Sequence, residues 1–462
     1  MEKMSDTNYP DAADLMRGNV AGIAWPAVCM ASSAALASLC AVLEKTQWMS
    51  AAEIRRRQFS QLAEFAGHAA QYSEHFRARL AEAAVSAEAL ATEDGLRRLK
   101  PLTRREIQSA GETLFCTHIP KQHEPVGQTK TSGSTGEPLS MRRTAVSMLF
   151  WMADNIRDHL WHRRNFKARL TVIRSQVMKY ETSDNWGTPV NQLFDSGPCQ
   201  YIPMGEGMEG QYKLMAEFGP EFLLIHPSNL DGLVQHCREK GLKLPSLKQI
   251  RTIGETLRPE TRAAAAEVLG AKAADCYSSQ EAGTIGIECP ESGLYHLCAE
   301  HLITEVVDES GNPCAEGEIG RVLLTDFTNF ATPLVRYEIA DYAEVGPLCP
   351  CGRGMPTLRR IVGRERNLVV MPDGSRHWPI IGSIKFRDVA PVQQFQFVQH
   401  DRENVEVRFV VESPLSAEME QKLTELIHKV LKHPFRLKYV YYPDRIPRSA
   451  GGKFEEYVCK AS

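Results

Sequence analysis

The sequence predicts a layered α/β domain followed by a small α+β domain. Short apolar runs that read as strands, Phe222 to Ile225 and Gln249 to Ile253, alternate with helical stretches at Leu230 to Lys240 and Pro259 to Leu269. That is the order of an α/β layer, in which ligands gather in the loops at strand ends. The 462 residues, 43% hydrophobic and 24% charged, exceed one ordinary domain and have the composition of two or three globular ones. Near the C-terminus, strand-like runs at Leu368 to Val370, Phe395 to Gln399 and Val405 to Val411 precede one stretch of helical period, Ser416 to Lys432. This defines the smaller unit.

Taken in order, Gly18 to Leu43 is uncharged and rich in Ala, Ser and Cys. Pro26 and Ser32, Ser33 and Ser38 dilute its hydrophobicity, so a helix packed on the body is expected there and not a membrane span or a signal peptide. Ala51 to Ala84 places Ile54, Phe59, Leu62, Phe65, Ala66, Ala69 and Phe76 at helical spacing, an amphipathic helix and its successor. Thr103 with Glu106 has the capping-box spacing of a helix start. Ala145 to Leu160 reads as a helix and Leu170 to Val177 as a buried strand. Three later segments follow strands or apolar runs as loops: His226 to Asn229, Gly254-Glu255 and Cys276 to Glu281. Glu255 is placed to cap the helix starting near Pro259.

A net charge of -3 leaves no electrostatic footprint for nucleic acid. The 12 cysteines are scattered without the spacing of a secreted disulfide framework, which points to a reducing, cytoplasmic setting.

The stretch Thr129 to Pro138, T-K-T-S-G-S-T-G-E-P, concentrates hydroxyls at Thr131, Ser132, Ser134 and Thr135 between Gly133 and Gly136. A loop is its natural form. Glycines let successive backbone N–H groups face one concavity and the hydroxyls add donors, an anion cradle suited to a triphosphate. A solvated Ser/Gly surface loop has the same composition, and no G-K-[ST] closes the stretch as in a Walker loop.

Five motifs in order complete a pattern: the loop Thr131 to Pro138, Tyr277-Ser278-Ser279-Gln280-Glu281, Arg336-Tyr337-Glu338-Ile339-Ala340-Asp341, Gly363-Arg364 and Gly452-Lys453. Over residues 50 to 460 the chain resembles the adenylate-forming (acyl/aryl-CoA synthetase) superfamily, in its phenylacetate–CoA ligase-like branch. The resemblance implies a large multi-layer N-terminal domain of that type and a small mobile α+β C-terminal domain. It implies that Thr131, Ser132, Gly133, Ser134, Thr135 and Gly136 hold the β,γ-phosphates of ATP, and that Glu281 binds Mg²⁺. Tyr277, with Ser278 beside it, would lie against adenine, Gly254 and Glu255 near the nucleotide and acyl group, and Asp341 on the ribose hydroxyls. Arg364 would reach ribose or phosphate, and Lys453 would neutralise charge as a carboxylate attacks the α-phosphate.

Three departures accompany the match: Leu139 follows the loop's proline, Glu338 stands where the family commonly has Arg, and Arg366-Asn367 replace paired acidic hinge residues. Cys289-x6-His296 and Cys349-Pro350-Cys351 supply three thiols and an imidazole, a tetrahedral Zn²⁺ ligand set shared by some relatives, with free buried cysteines as the rival.

The implied organisation is a helical extension at 1–50, a large ATP- and acid-binding domain at 51–362 with the zinc subsite at 289–351, a hinge at 363–367 and the small domain at 368–462. The implied activity is ATP-dependent, AMP-forming ligation of an aryl or acyl carboxylic acid, with CoA as first acceptor and an amine or a carrier protein as alternatives. A catalytically reduced nucleotide-binding protein is the reading from another class.

Overall fold

The computed structural model describes residues 16–21, 23, 26–131, 139–364, 367–377, 386–443, 445–447 and 454–461. Contacts divide the described residues into a large unit, which holds most of those up to Ile361, and a smaller one that holds those from Val362 onward with Ala340–Tyr342.

The large unit opens with helices α1 (Ser32–Thr46), α2 (Ala51–Tyr72), α3 (Glu74–Glu82), α4 (Glu93–Arg98) and α5 (Arg104–Ala110). The helix expected from Gly18 begins only at Ser32; Pro26 has no N–H for a helical ladder. The apolar stripe of α2 and α3 is buried as expected: Phe59, Leu62, Phe65, Ala66, Ala69 and Phe76 pack with Leu90, Leu96, Ile303, Phe327 and Val335. At the start of α5 the Thr103 hydroxyl accepts from the Glu106 N–H at 3.2 Å and the Glu106 carboxylate accepts from the Thr103 N–H at 2.7 Å. This is the reciprocal box its spacing predicts.

The hairpin β1 (Val126–Thr131) and β2 (Leu139–Thr144) pairs Thr131 with Leu139. It thereby fixes the two ends of the segment 132–138, which itself lies outside the described residues. Thr129 to Thr131, expected in a loop, are strand instead, because the antiparallel ladder carries through to Thr131. The free edge of β2 is satisfied by side chains: Asn329 Nδ2 and Thr332 Oγ1 both donate to the Arg142 carbonyl, at 2.9 and 2.8 Å.

Helix α6 (Ala145–Trp161) lies over one face of a twelve-stranded sheet. The strands are β3 (Leu170–Arg174), β4 (Glu181–Ser183), β5 (Cys199–Pro203), β6 (Phe222–Ile225), β7 (Gln249–Ile253), β8 (Lys272–Ser279), β9 (Gly283–Glu288), β10 (Tyr295–Leu297), β11 (Leu302–Val307), β12 (Ile319–Asp326), β13 (Tyr337–Val345) and β14 (Thr357–Arg364). Their order is β11-β12-β13-β14-β10-β9-β8-β7-β6-β3-β5-β4. Neighbours from β8 through β5 are parallel, connected in part by α7 (Val190–Leu193), α8 (Gly207–Phe218), α9 (Pro227–Glu239) and α10 (Pro259–Leu269). Chain order therefore reverses at β3, which has β5 on one side and β6 on the other. Alternation along the strands sorts the cores: Ile173, Leu223, Ile225 and Ile250 pack with α9 and α10, while Leu170, Val172 and Phe222 pack with Ala153 and Ile156 of α6 and Leu36 of α1.

The segment Cys276 to Ser279, expected as loop, is the second half of β8: Cys276 pairs with both β7 and β9, and Tyr277 to Ser279 pair with β9. Ser278 and Ser279, with little strand preference of their own, are held there by β9. Beside them, burial and the nearby Glu288 push the Asp275 carboxyl up to about 6, against the opposing hydrogen bonds from Thr252 and Tyr295. Raised above its ordinary 3.8, the group holds more protons folded than unfolded between about pH 4 and 6. Its contribution to stability therefore falls as pH rises through that window, by about 3 kcal/mol in all. Urea unfolding of Asp275→Asn from pH 4 to 7 should lack that fall; parallel curves for wild type and variant would remove Asp275 from the account.

In the small unit, β17 (Val392–Gln399), β18 (Asn404–Val411), β19 (Arg436–Tyr442) and β20 (Tyr457–Cys459) form a sheet in the order β19-β18-β17-β20. The short pair β15 (Val369–Val370) and β16 (Arg376–His377) precedes it. Helix α11 (Ala417–Leu431) buries Leu423, Ile427 and Leu431 against Phe397, Val407 and Phe409. The expected strands and helix all occur, with Val369–Val370 replacing Leu368 to Val370.

Candidate active site and metal centre

The strand-end loops of the parallel sheet are tied together. Gly254 directly follows β7 with φ +80°, a conformation glycine adopts without a Cβ clash. Glu255 then accepts, through Oε2, the backbone N–H of Ser228 at 2.8 Å. It serves the first turn of α9 and not α10, whose N-cap is Arg258 with no side-chain cap. The cause is topological: β6 and β7 are adjacent, so the loop after one meets the helix after the other. His226 Nδ1 donates to the Ile253 carbonyl at 2.9 Å, a second link between these loops.

Glu281 lies in the turn between β8 and β9 with its side chain mostly covered and Oε1 at 3.7 Å from Arg104 Nη1. Arg143 donates to the neighbouring Gln280 carbonyl at 3.5 Å. A lone carboxylate suits Mg²⁺, which takes one or two protein carboxylates and completes its shell with phosphate oxygens and water. Spacing gave no sign of the two arginines, which come from α5 and β2. Tyr277 is buried among Ala282, Ile285, Tyr295 and Leu297, and Ser278 follows it on β8 opposite Thr284.

Asp341 sits in β13 directly after Ala340, which is held at φ +61°. Arg364 Nε lies 3.3 Å from Asp341 Oδ1, so these two residues are brought together. The Arg364 N–H donates to Asn367 Oδ1 at 3.0 Å. Arg336, four residues before Ala340, is buried and turned elsewhere: Nη1 donates to the Leu99 and Arg97 carbonyls and Nε to Glu305. Glu338 is accounted for by Arg321 Nη1, which donates to it at 2.9 Å from β12. Ser132, Gly133, Ser134, Thr135, Gly136, Arg366 and Lys453 lie outside the described residues.

Cys289, His296, Cys349 and Cys351 bring one ligand atom each within 4.8 Å of one another. Cys349 and Cys289 sulfurs are 3.7 Å apart, and Cys351 Sγ is 3.3 Å from His296 Nε2. Two thiolates about 2.3 Å from a shared tetrahedral ion stand about 3.8 Å apart, so the set fits such an ion. Burial opposes ionisation of all three thiols, yet His296 and Ser292 lower Cys289, and Arg353 lowers Cys351; Cys349 is pushed up to about 11. A second buried group, Asp154, Cys298 and His301, is a different case. Arg157 lies 3.6 Å from Asp154 and its cation occupies the place of a metal charge.

The model of the CapK C-terminal domain matches residues 381–460. A phenylacetate–coenzyme A ligase of Thermus thermophilus is 26% identical over 288 residues, 56% of this chain and 64% of that protein. Protein CapK of Staphylococcus aureus is 22% identical over 78% of this chain and 79% of its own length. A crystal structure of 2-hydroxyisobutyryl-CoA ligase in the postadenylation state, with an acyl-AMP bound, superposes with a TM-score of 0.71 at 18% identity. It covers 89% of this chain and 90% of that one. The chain has the adenylate-forming ligase fold. Its large and small units have the fold seen in structures of adenylate-forming enzymes, and phenylacetate–CoA ligases are among its homologues. The match spans a little under two thirds of the Thermus ligase. Among the described residues no helix is long and apolar enough to cross a membrane.

Proposed function

We propose that the chain is an ATP-dependent, AMP-forming carboxylic acid ligase with CoA as acceptor. The observation that carries the reading is the set of five motifs in family order on an adenylate-forming fold, together with the Asp341–Arg364 pairing. A carboxylate oxygen attacks the α-phosphorus of ATP and the bond to the bridging oxygen breaks, giving acyl-AMP and pyrophosphate. The CoA thiolate then attacks the acyl carbonyl, its proton having gone to solvent, and AMP leaves. Because the first step joins two anions, its transition state needs positive charge. The backbone and hydroxyls of Thr131, Ser132, Gly133, Ser134, Thr135 and Gly136 receive the β,γ-phosphates, Asp341 the ribose, and Lys453 the charge developing at the α-phosphate. Glu281 would hold Mg²⁺, which when bound would supply further charge neutralisation on the phosphates. Residues 363–367 are the proposed hinge of the small domain, since backbone rotation there needs no particular side-chain charge.

The test is a carboxylic-acid library screened for pyrophosphate release with acceptor omitted, then repeated with CoA, amines and carrier protein. Glu281→Gln should raise the Mg²⁺ concentration for half-maximal release about tenfold or more; an unchanged Mg²⁺ titration would take Glu281 out of the metal site. ATP binding without pyrophosphate release for any acid would leave the nucleotide-binding reading in its place. The sulfur and imidazole quartet is assigned to a structural Zn²⁺. Four protein ligands close the shell, so no chemical step is given to it.

A further inference from the structure

We propose that the acid activated by this chain carries a second anionic group, held by Arg174 at the carboxyl end of β3. This rests on the ligase reading and names the substrate class of its acid site. In a parallel sheet the ligand crevice lies outside the carboxyl ends of the strands, where chain order reverses. Here that point is the junction of β3 and β6. Arg174 is the last residue of β3, and continuing the register that pairs Val172 with Leu224 sets it beside His226, the residue after β6.

Alternation places Arg174 on the same face as Leu170 and Val172, the face covered by α6. Arg251 of β7 shares that face and is already committed. Its Nε lies 2.5 Å from Asp158 Oδ2 and its Nη1 donates to Asn155 at 3.0 Å, both on α6. Arg164 also pairs with Asp158, at 2.8 Å. One buried carboxylate thus answers two guanidiniums, and Arg174 adds a third cation to the same layer. Among the described residues Arg174 has no ion pair, and its Nε is buried without a hydrogen-bond partner. Burial and the like charge of Arg251 lower its pKa, so its charged form is held at a cost that an anionic ligand would offset. An uncharged aryl or alkyl group in this crevice would leave that guanidinium buried and unpaired, whereas a carboxylate, sulfonate or phosphate would pair with it in fork geometry.

The experiment compares matched acids, benzoate with terephthalate and pentanoate with adipate, on wild type and Arg174→Met. It measures Kd by calorimetry without ATP and kcat/KM for pyrophosphate release. The expected result is at least a tenfold preference for the diacid in wild type, lost in Arg174→Met while Kd for the monoacid stays within about twofold. Equal use of mono- and diacids by wild type, no binding of either, or a preference that survives in Arg174→Met would overturn the inference. Preferential diacid binding with no pyrophosphate release would uphold the anion site and sink the ligase reading. A folded Arg174→Lys variant that keeps part of the preference separates charge from packing.

Discussion

Lys453→Ala should lower acid-dependent pyrophosphate release roughly 10³-fold, the scale of losing one preorganised charge at a transition state, while turning pre-made acyl-adenylate into product at close to the wild-type rate. The asymmetry follows from when the charge is needed. Carboxylate and triphosphate repel each other as they meet, and a cation at the α-phosphate relieves that repulsion. Once the adenylate exists, a thiolate attacks a neutral acyl carbonyl and the same cation has little left to offset. The measurement is a pair of rates on one preparation, pyrophosphate release with acceptor omitted and thioester formation from supplied adenylate. Equal loss in both would mean that Lys453 serves the fold or the nucleotide generally and not the first step.

Purified protein should contain about one zinc per chain, and Cys349→Ser should lose it together with at least about 5 °C of melting temperature, equivalent to a couple of kcal/mol for a domain of this size. The ligands lie on either side of a long stretch of chain, His296 in β10 and Cys349 and Cys351 just before β14, so the ion would close a long loop and its binding energy would enter the folding energy. Without an ion, the three thiols would pack with Leu294 as a small cluster, joined to His296 through Cys351. Elemental analysis that finds no metal, with an unchanged melting curve for Cys349→Ser, would assign the quartet to free cysteines.

What could be seen in the sequence was what is encoded locally. The Thr103–Glu106 box, the stripe of α2 and the boundaries of α10 depend on residues three or four apart, and all lie where spacing puts them. The cysteine and histidine quartet was visible because its ligand types are rare in combination. The second half of β8 was not visible, since Ser278 and Ser279 owe their extended form to pairing with β9 and not to their own side chains. Glu255 shows the same limit: sequence puts it before Pro259, while the fold puts it under Ser228, 27 residues back. Arg174 carried no signal at all, because a cation at the end of a strand gains meaning only when the sheet order makes that end the reversal point.

The packing of α2 has a consequence for synthesis of the chain. Its apolar stripe is completed by Ile303, Phe327 and Val335, and Gln58 donates to the carbonyls of Ala299 and Leu302 at 2.9 Å. At about 5–20 residues per second, the roughly 240 residues between these partners take tens of seconds to emerge. Through that interval Phe59, Leu62 and Phe65 are covered only by local partners such as Phe76, Leu90 and Leu96. The stripe of α2 therefore stays incompletely covered until β11 and β12 emerge, and the yield of folded chain should depend on translation speed over the span between α2 and β11.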